Sequence, residues 1–510
     1  VSVTLNQANY GTGVYGTARY GEYFVTINTG VGAVGSVGSV TENVSEALAG
    51  VSATGTVNTV NTTVDASTTL TGVSATGTVN TVNTTADGTT TLTGVSATGT
   101  VNTVNTIADG TTTLTGVSAT GTVNTVNTIA DASTTLTGVS ATGIVNTVST
   151  TADASTTLTG VSATGVVNTV NTIADANTTL TGVSATGTVN TVSTTADATT
   201  TLTGVSATGS VNTVGIGNST TLTGVSATGS VNTVNTTAGI RVAITGVSAT
   251  GVINTVSTTA DSSITLTGVS STGTIAPVVV GGFEVDVSET IASGVGATGV
   301  VNSVQVNLTE KLASVSATGS VNTVTTTADG SITLSGVSAT GSVNTVSLTA
   351  DSSITLSGVS ATGSVNTVVT RLGATTVLTG VSATGFVNTV NEKPTEALAS
   401  VSATGLIGSV GISNTVTITG VAGTGSIGSV GVGNSVTPTG VVGTFSIGTV
   451  TVTGIVTVFV ASAYDRKHVV HVVPEALILR SVAVGAASAY NRDRVVTVQP
   501  KETSNQRRAA

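Results

Sequence analysis

Apolar and polar positions alternate along most of this chain, and the alternation slips at fixed places. Between Leu92 and Leu114, the small or apolar residues Val95, Ala97, Gly99 and Val101 alternate with Ser96, Thr98 and Thr100. Period 2 predicts a strand with one buried face. Val104 follows Val101 by three residues, and Val95 follows Leu92 by three. The strand face is therefore re-aimed near Thr93-Gly94 and Asn102-Thr103, by a bulge or a corner. Ala108-Asp109-Gly110 predicts a turn before the next strand, Thr111–Leu114.

This unit recurs. Gly-Val-Ser-Ala-Thr-Gly and its variants run from Gly30 to Gly440, with Ser in the leading position at Ser314 and Ser400. Of nineteen intervals between copies, twelve are 22 residues, six are 20 and one is 26. All are even, which preserves the set of inward side chains, since a one-residue slip inverts the face. The short units lose two residues in the turn region: Val214 to Leu222 reads Gly-Ile-Gly-Asn-Ser-Thr-Thr between them. Shortening both arms of a hairpin, or tightening one solenoid corner, accounts for this equally.

A fixed period of this size marks a quasi-one-dimensional architecture in which each unit packs on its neighbours. Each copy offers only a few buried Val, Leu or Ala, and a fully buried Val contributes roughly 1.5–3 kcal/mol. That does not offset an ordering cost of ~1–2 kcal/mol per residue. Stability must come from stacking along the axis, from association of chains, or from both. The expected fold is an all-β, elongated repetitive fibre of about twenty repeats of 20–22 residues with small terminal domains. Two forms remain open, a β-solenoid and an intertwined trimeric β shaft. Twenty solenoid coils at ~4.8 Å each make about 100 Å, whereas two strands per repeat laid along the axis make roughly 190 Å.

Composition agrees and excludes much else. The 510 residues are 7% charged and 2% aromatic, with 63 Gly and no Cys, Met or Trp. Val and Thr favour strands. The net charge of −10 argues against nucleic acid as a partner, which needs a basic stripe. Without Cys there are no disulfides, thiolate metal sites or Cys nucleophiles. Val1–Tyr20 has no basic segment leading into an apolar run, so it does not read as a signal peptide. No apolar run approaches the ~20 residues of a transmembrane helix, so no membrane insertion is expected.

Three zones follow. Residues 1–29 carry Tyr10, Tyr15, Tyr20 and Tyr23, three of them in Tyr-Gly pairs five residues apart. Aromatic anchors near a terminus suit attachment to another protein, and they suit equally a local cap on the first repeat. Residues 30–459 form the array. Its irregular point lies at 272–294, where Ala276-Pro277-Val278-Val279-Val280-Gly281-Gly282-Phe283 replaces the usual turn, as a joint or as a degenerate repeat. Residues 460–510 hold 8 of the 13 basic residues and both His. They contain a duplication, Ala-Ser-Ala-Tyr-Asp/Asn-Arg at 461–466 and 487–492, each copy followed by an alternating strand, Val469–Val473 and Val495–Val498. This zone reads as a basic, β-structured C-terminal domain. Tyr464, Arg466, Arg480, Tyr490, Arg492 and Arg494 are its candidate interface residues.

Enzymatic constellations are absent, and neither catalytic, cofactor-binding nor metal-binding residues are assigned. His468 and His471 lie three apart in an alternating strand and read as ordinary strand positions. A repeated turn Asp (Asp65, Asp87, Asp109, Asp131, Asp153, Asp175, Asp197, Asp261, Asp329, Asp351) would line a column if stacked. Calcium wants six to eight oxygens, and the turn role of Asp explains the position adequately. Runs such as Thr111-Thr112-Thr113 raise a flat Thr face of the kind ice-binding solenoids display, against the plainer reading of a solvated strand face.

Three segments carry a family resemblance: Asn9-Tyr10-Gly11-Thr12-Gly13-Val14-Tyr15-Gly16, the array seen plainly at Gly204–Val214, and the Arg-x-Val-x-Val endings at Arg480–Val484 and Arg494–Val498. Together they resemble structural proteins of tailed bacteriophages, especially marine and cyanobacterial ones. The resemblance implies a virion fibre or appendage, assembled in the infected host cytoplasm. It implies other virion proteins as partners and a host surface receptor as a possible contact. The homotrimer is expected separately, because thin cores are commonly completed by symmetric partners. The alternatives are a secreted or surface-displayed bacterial repeat adhesin and, behind it, an ice-binding or calcium-stacked solenoid.

Overall fold

The computed structural model describes residues 31–453, apart from short stretches of which 282–288 is the longest, and the strands Val469–Val473 and Val495–Val498. The chain is all-β, with parallel sheets stacked as a β-solenoid of about 16 turns and a repeat near 22 residues. It divides into two compact units, Val1–Asp261 and Ser262–Ala510.

One coil of the first unit shows how the sequence builds the fold. Strand Thr111–Ala119 is followed by a turn at Thr120-Gly121, strand Thr122–Ala130, and a second turn at Asp131-Ala132. Each strand pairs in parallel with its equivalents one coil away. Leu114 sits between Leu92 and Leu136, and Val126 between Val104 and Val148. Two sheets result, one bearing the leucines and one bearing the asparagines. These pairings join successive coils of a single chain, so the intertwined-trimer alternative gives way to the solenoid.

The two slips in the hydrophobic pattern are bends within strands. In the leucine-bearing strands the register passes from Thr115 to Val117, with Gly116 unpaired and at φ +70°. In the asparagine-bearing strands it passes from Val123 to Thr125. Each bend adds one residue and restores the inward phase, so Leu114, Val117, Val123 and Val126 are all fully buried. Gly supplies the left-handed conformation that an L side chain resists.

The sequence pattern misleads at one place. Alternation through Val95, Ala97, Gly99 and Val101 predicts one unbroken strand, but Thr98-Gly99 is a turn. Gly99 is small for a different reason than burial. Gly121 N donates to Gly99 O at 3.0 Å, and a Cβ on Gly121 would lie 2.6 Å from that oxygen. Coils meet backbone to backbone here, and the position is glycine from Gly55 to Gly425. The Asp turn falls where expected. Its second residue is Gly at 88 and 110 and Ala at 132, 154, 176 and 198.

The short coil at 204–224 loses its residues at the Asp corner. Thr194 pairs with Ile216 and Thr200 with Thr220, so five intervening residues become three. Asn218, at φ 48°, closes the tighter corner. The face is kept, with Leu202, Leu222 and Ile244 in register. At 272–294 the expected replacement of the turn is corrected. Val278–Gly281 is a strand in register with Val304–Asn307, and Pro277 occupies the bend opposite Ser303. A proline is tolerated at a bend because no ladder donor is needed there. The added residues fall after Gly281. In the C-terminal zone, Val469–Val473 and Val495–Val498 continue the same parallel sheet, pairing first with Thr449–Thr453 and then with each other.

Candidate functional surface

Identical residues in register become columns along each unit. The most connected column is asparagine at the strand bend. Asn80 donates to Asn58 Oδ1 at 2.9 Å, and the chain of side-chain bonds runs on through Asn254, with separations down to 2.6 Å. Each amide donates to one neighbour and accepts from the other, the ladder that stacked identical amides favour. The second unit carries its own ladder from Asn302 to Asn388. Sequence reading missed both ladders. The signal was a recurring Asn at a position that breaks phase, where hydrophobic period says nothing about side-chain pairing.

Inside the coils, threonine takes two roles. In the leucine-bearing strands Thr112 donates to the carbonyl of Ile129 across the core at 3.0 Å, as Thr134, Thr156, Thr178 and Thr200 do to their counterparts. These bonds staple one sheet to the other. In the asparagine-bearing strands, Thr62, Thr84 and Thr106 reach an Asn carbonyl of the next coil only at 3.4–3.5 Å, and the buried hydroxyls of Thr128, Thr150, Thr172 and Thr194 have no hydrogen-bond partner.

Outside, three features stand out. At the Ser-Ala-Thr corner a groove of about 1280 Å³ runs along the first unit, lined by Ser96, Ala97, Thr98 and their equivalents from Ala33 to Thr208. The second unit has a counterpart of about 720 Å³ between Ala317 and Thr424. Neither lining includes an ionisable side chain, so these grooves offer hydroxyls and methyls without a base to activate them. Along the first unit the turn Asp residues stack one per coil from Asp65 to Asp197, all exposed. Among the described residues no three His, Cys, Asp or Glu are placed to hold a metal ion. Finally, Thr113 and Thr115 point outward from the leucine-bearing sheet.

No family model, no curated protein and no solved structure matches the chain. The proposed attachment residues Tyr10, Tyr15, Tyr20 and Tyr23 lie outside the described residues, as do Tyr464, Arg466, Arg480, Tyr490, Arg492 and Arg494. His468 also lies outside them, and the His471 backbone sits in the sheet opposite Thr451 and Thr497.

Proposed function

We propose that this chain is a non-catalytic structural protein, a fibre or appendage component of a tailed phage virion. The supporting observation is coil-on-coil register held residue for residue, so that each coil serves chiefly as a platform for the next. Such a stack passes force through many parallel backbone bonds and repeated side-chain ladders. Its described surface repeats the same few side chains, uncharged apart from the turn Asp column, and gathers no set of acid, base and nucleophile. The phage assignment itself rests on the sequence resemblance of the termini and the array. The Tyr-rich N-terminal segment attaches to the particle, the array spaces, and the basic C-terminal zone meets a neighbouring virion protein or the host surface.

A bacterial repeat adhesin is the second reading, and the Ser-Ala-Thr grooves are the observation that favours it. One experiment separates the two. Antibodies to the array are applied to purified tailed phage particles, and to intact cells, from the material that carries the gene. Labelling of particles at a discrete appendage is the expected result. Labelling of uninfected cells, with bare particles, overturns the virion reading. Mass in solution, measured on the purified chain, then tests the homotrimer: three chain masses are expected, and one chain mass removes it.

A further inference from the structure

The outward face of the leucine-bearing sheet in the first unit is a lattice rather than a generic polar surface. Thr69 is followed in register by Thr91, Thr113, Thr135 and onward to Thr221. Two residues along each strand, a second column runs from Thr71 to Thr245 without a substitution. A third, at the strand start, mixes Ser67, Thr89, Thr111, Ser133, Ser155, Asn177 and Thr199. Residues of the second column are mostly exposed and those of the first mostly half-exposed. Their hydroxyls take part in none of the side-chain hydrogen bonds described above.

Pairing without lateral shift fixes the geometry of this face. Hydroxyls repeat at ~4.8 Å from coil to coil and at roughly 6.6 Å along a strand. Threonine is stiff at χ1, so each site presents a hydroxyl and a methyl with little freedom. No charged side chain enters the two Thr columns. A charge would orient water around itself and break the repeat. An ordered array of weak donors and acceptors gains little from any single mobile ligand. It gains most from a partner that is itself a repeating hydroxyl lattice, because every contact then forms at once.

Two adjacent unbroken Thr columns are specific to this face. The opposite sheet keeps one, from Thr59 to Thr255, but the outer columns beside it carry Ser149 and Gly215, or exposed Ile107, Ile129 and Ile173. In the second unit the equivalent columns read Thr333, Thr355, Val377 and Ser335, Ser357, Thr379. The repeat alone therefore does not impose threonine.

We propose that this face, from Thr69 to Thr223, binds ice, the partner whose surface is an extended lattice of water hydroxyls. The proposal is independent of the virion reading. The test uses the full chain, fluorescently labelled, in front of a slowly growing ice surface, with thermal hysteresis measured alongside. Incorporation into ice and a measurable hysteresis gap are expected. Thr157→Lys with Thr159→Lys should reduce both several-fold, and Thr147→Lys, on the opposite sheet, should leave both unchanged. Thr157→Val with Thr159→Val keeps shape and methyls while removing hydroxyls, and it should weaken both readouts if the double lysine variant fails to fold. Exclusion of the unmodified chain from ice overturns the proposal, as does equal loss in Thr147→Lys. Retention on crystalline cellulose together with exclusion from ice also overturns it, and assigns the lattice to a polysaccharide. None of these results bears on particle labelling.

Discussion

The two units use the same repeat and differ in how continuously it is drawn. In the first unit the leucine-bearing strands run unbroken through the bend, as in Thr111–Ala119 and Ser133–Ala141. In the second, several split there: Glu310–Leu312 is separate from Val315–Ala317, and Glu396–Leu398 from Val401–Ala403. Ser314 and Ser400 occupy those breaks, where the first unit has Gly at φ near +70°. Among the described residues Asn218 alone is a non-glycine with positive φ. Serine declines the left-handed conformation, the bend opens, and the strand becomes two short pieces. Where Gly stands at φ +71° to +83°, at Gly336, Gly358 and Gly380, the strands are whole. At Gly294, with φ +100°, and at Gly420 they split as they do at Ser314 and Ser400, so the left-handed φ near +70° and not glycine as such accompanies the joined strand. One backbone conformation per coil thus separates a continuous sheet from an interrupted one.

The most severe way to break this continuity is at the close approach of coils rather than at the bend. Gly121→Val places a branched side chain where even a Cβ lies 2.6 Å from the Gly99 carbonyl. Backbone must move, and the stacked bond at 3.0 Å is lost. The expected cost is about 3 kcal/mol or more. In a stacked repeat this appears as local opening. Hydrogen exchange should show lost protection centred on the Thr120-Gly121 corner and its neighbours, and unchanged protection there refutes the account.

The bend itself is tested by exchanging the two units' residues. Gly116→Ser should cost about 1–2 kcal/mol and split strand Thr111–Ala119, because an L residue resists φ +70°. Ser400→Gly should do the reverse in the second unit, raising protection across Glu396–Ala403. If both variants melt like the parent chain, the glycine is not what joins the strand halves.

Both bends were legible in the sequence, and it is instructive why the turn between them was not. Leu92 to Val95 and Val101 to Val104 each break period 2, and each break marks a real bulge. The turn at Thr98-Gly99 leaves period 2 intact, because Ala97 and Gly99 are both small and fall on alternate positions. Hydrophobic phase cannot distinguish a glycine that is buried from one that another backbone presses upon. The Thr lattice was visible in the sequence as recurring Thr runs that suggest a flat face, not as columns. Its columns require knowing that bends reset the face and that register is unshifted, and both facts live in the pairing between coils.

The asparagine ladder contributes less per site than the glycines. Asn146 donates to Asn124 at 2.7 Å and accepts from Asn168 at 2.6 Å. Asn146→Ala removes both bonds on a half-exposed surface, where each is worth roughly 0.5–1.5 kcal/mol. A loss near 1–2 kcal/mol is expected, read as earlier exchange at Val145–Thr147. Asn146→Ser, too short to bridge, should resemble alanine, and full stability in either variant removes the ladder from the account of continuity.

The smallest effects come from the buried threonines, and their signs should oppose. Thr112 and Thr172 are both fully buried, but Thr112 donates to Ile129 O at 3.0 Å while the Thr172 hydroxyl has no partner. Valine matches threonine in shape and lacks the hydroxyl. Thr112→Val leaves a core carbonyl without its side-chain donor and should destabilise by about 1 kcal/mol. Thr172→Val relieves a buried unpaired hydroxyl and should be neutral or stabilising by up to about 1 kcal/mol. The chain already makes this exchange in the same column: Ile216 pairs with Thr194, Val306 with Thr326, and Leu348 lies between Thr326 and Thr370. Equal and opposite shifts in local exchange would show that the staple between sheets, and not hydroxyl burial as such, is what threonine contributes to the core. A destabilised Thr172→Val would mean that its hydroxyl is satisfied in solution and that the two threonine columns are equivalent.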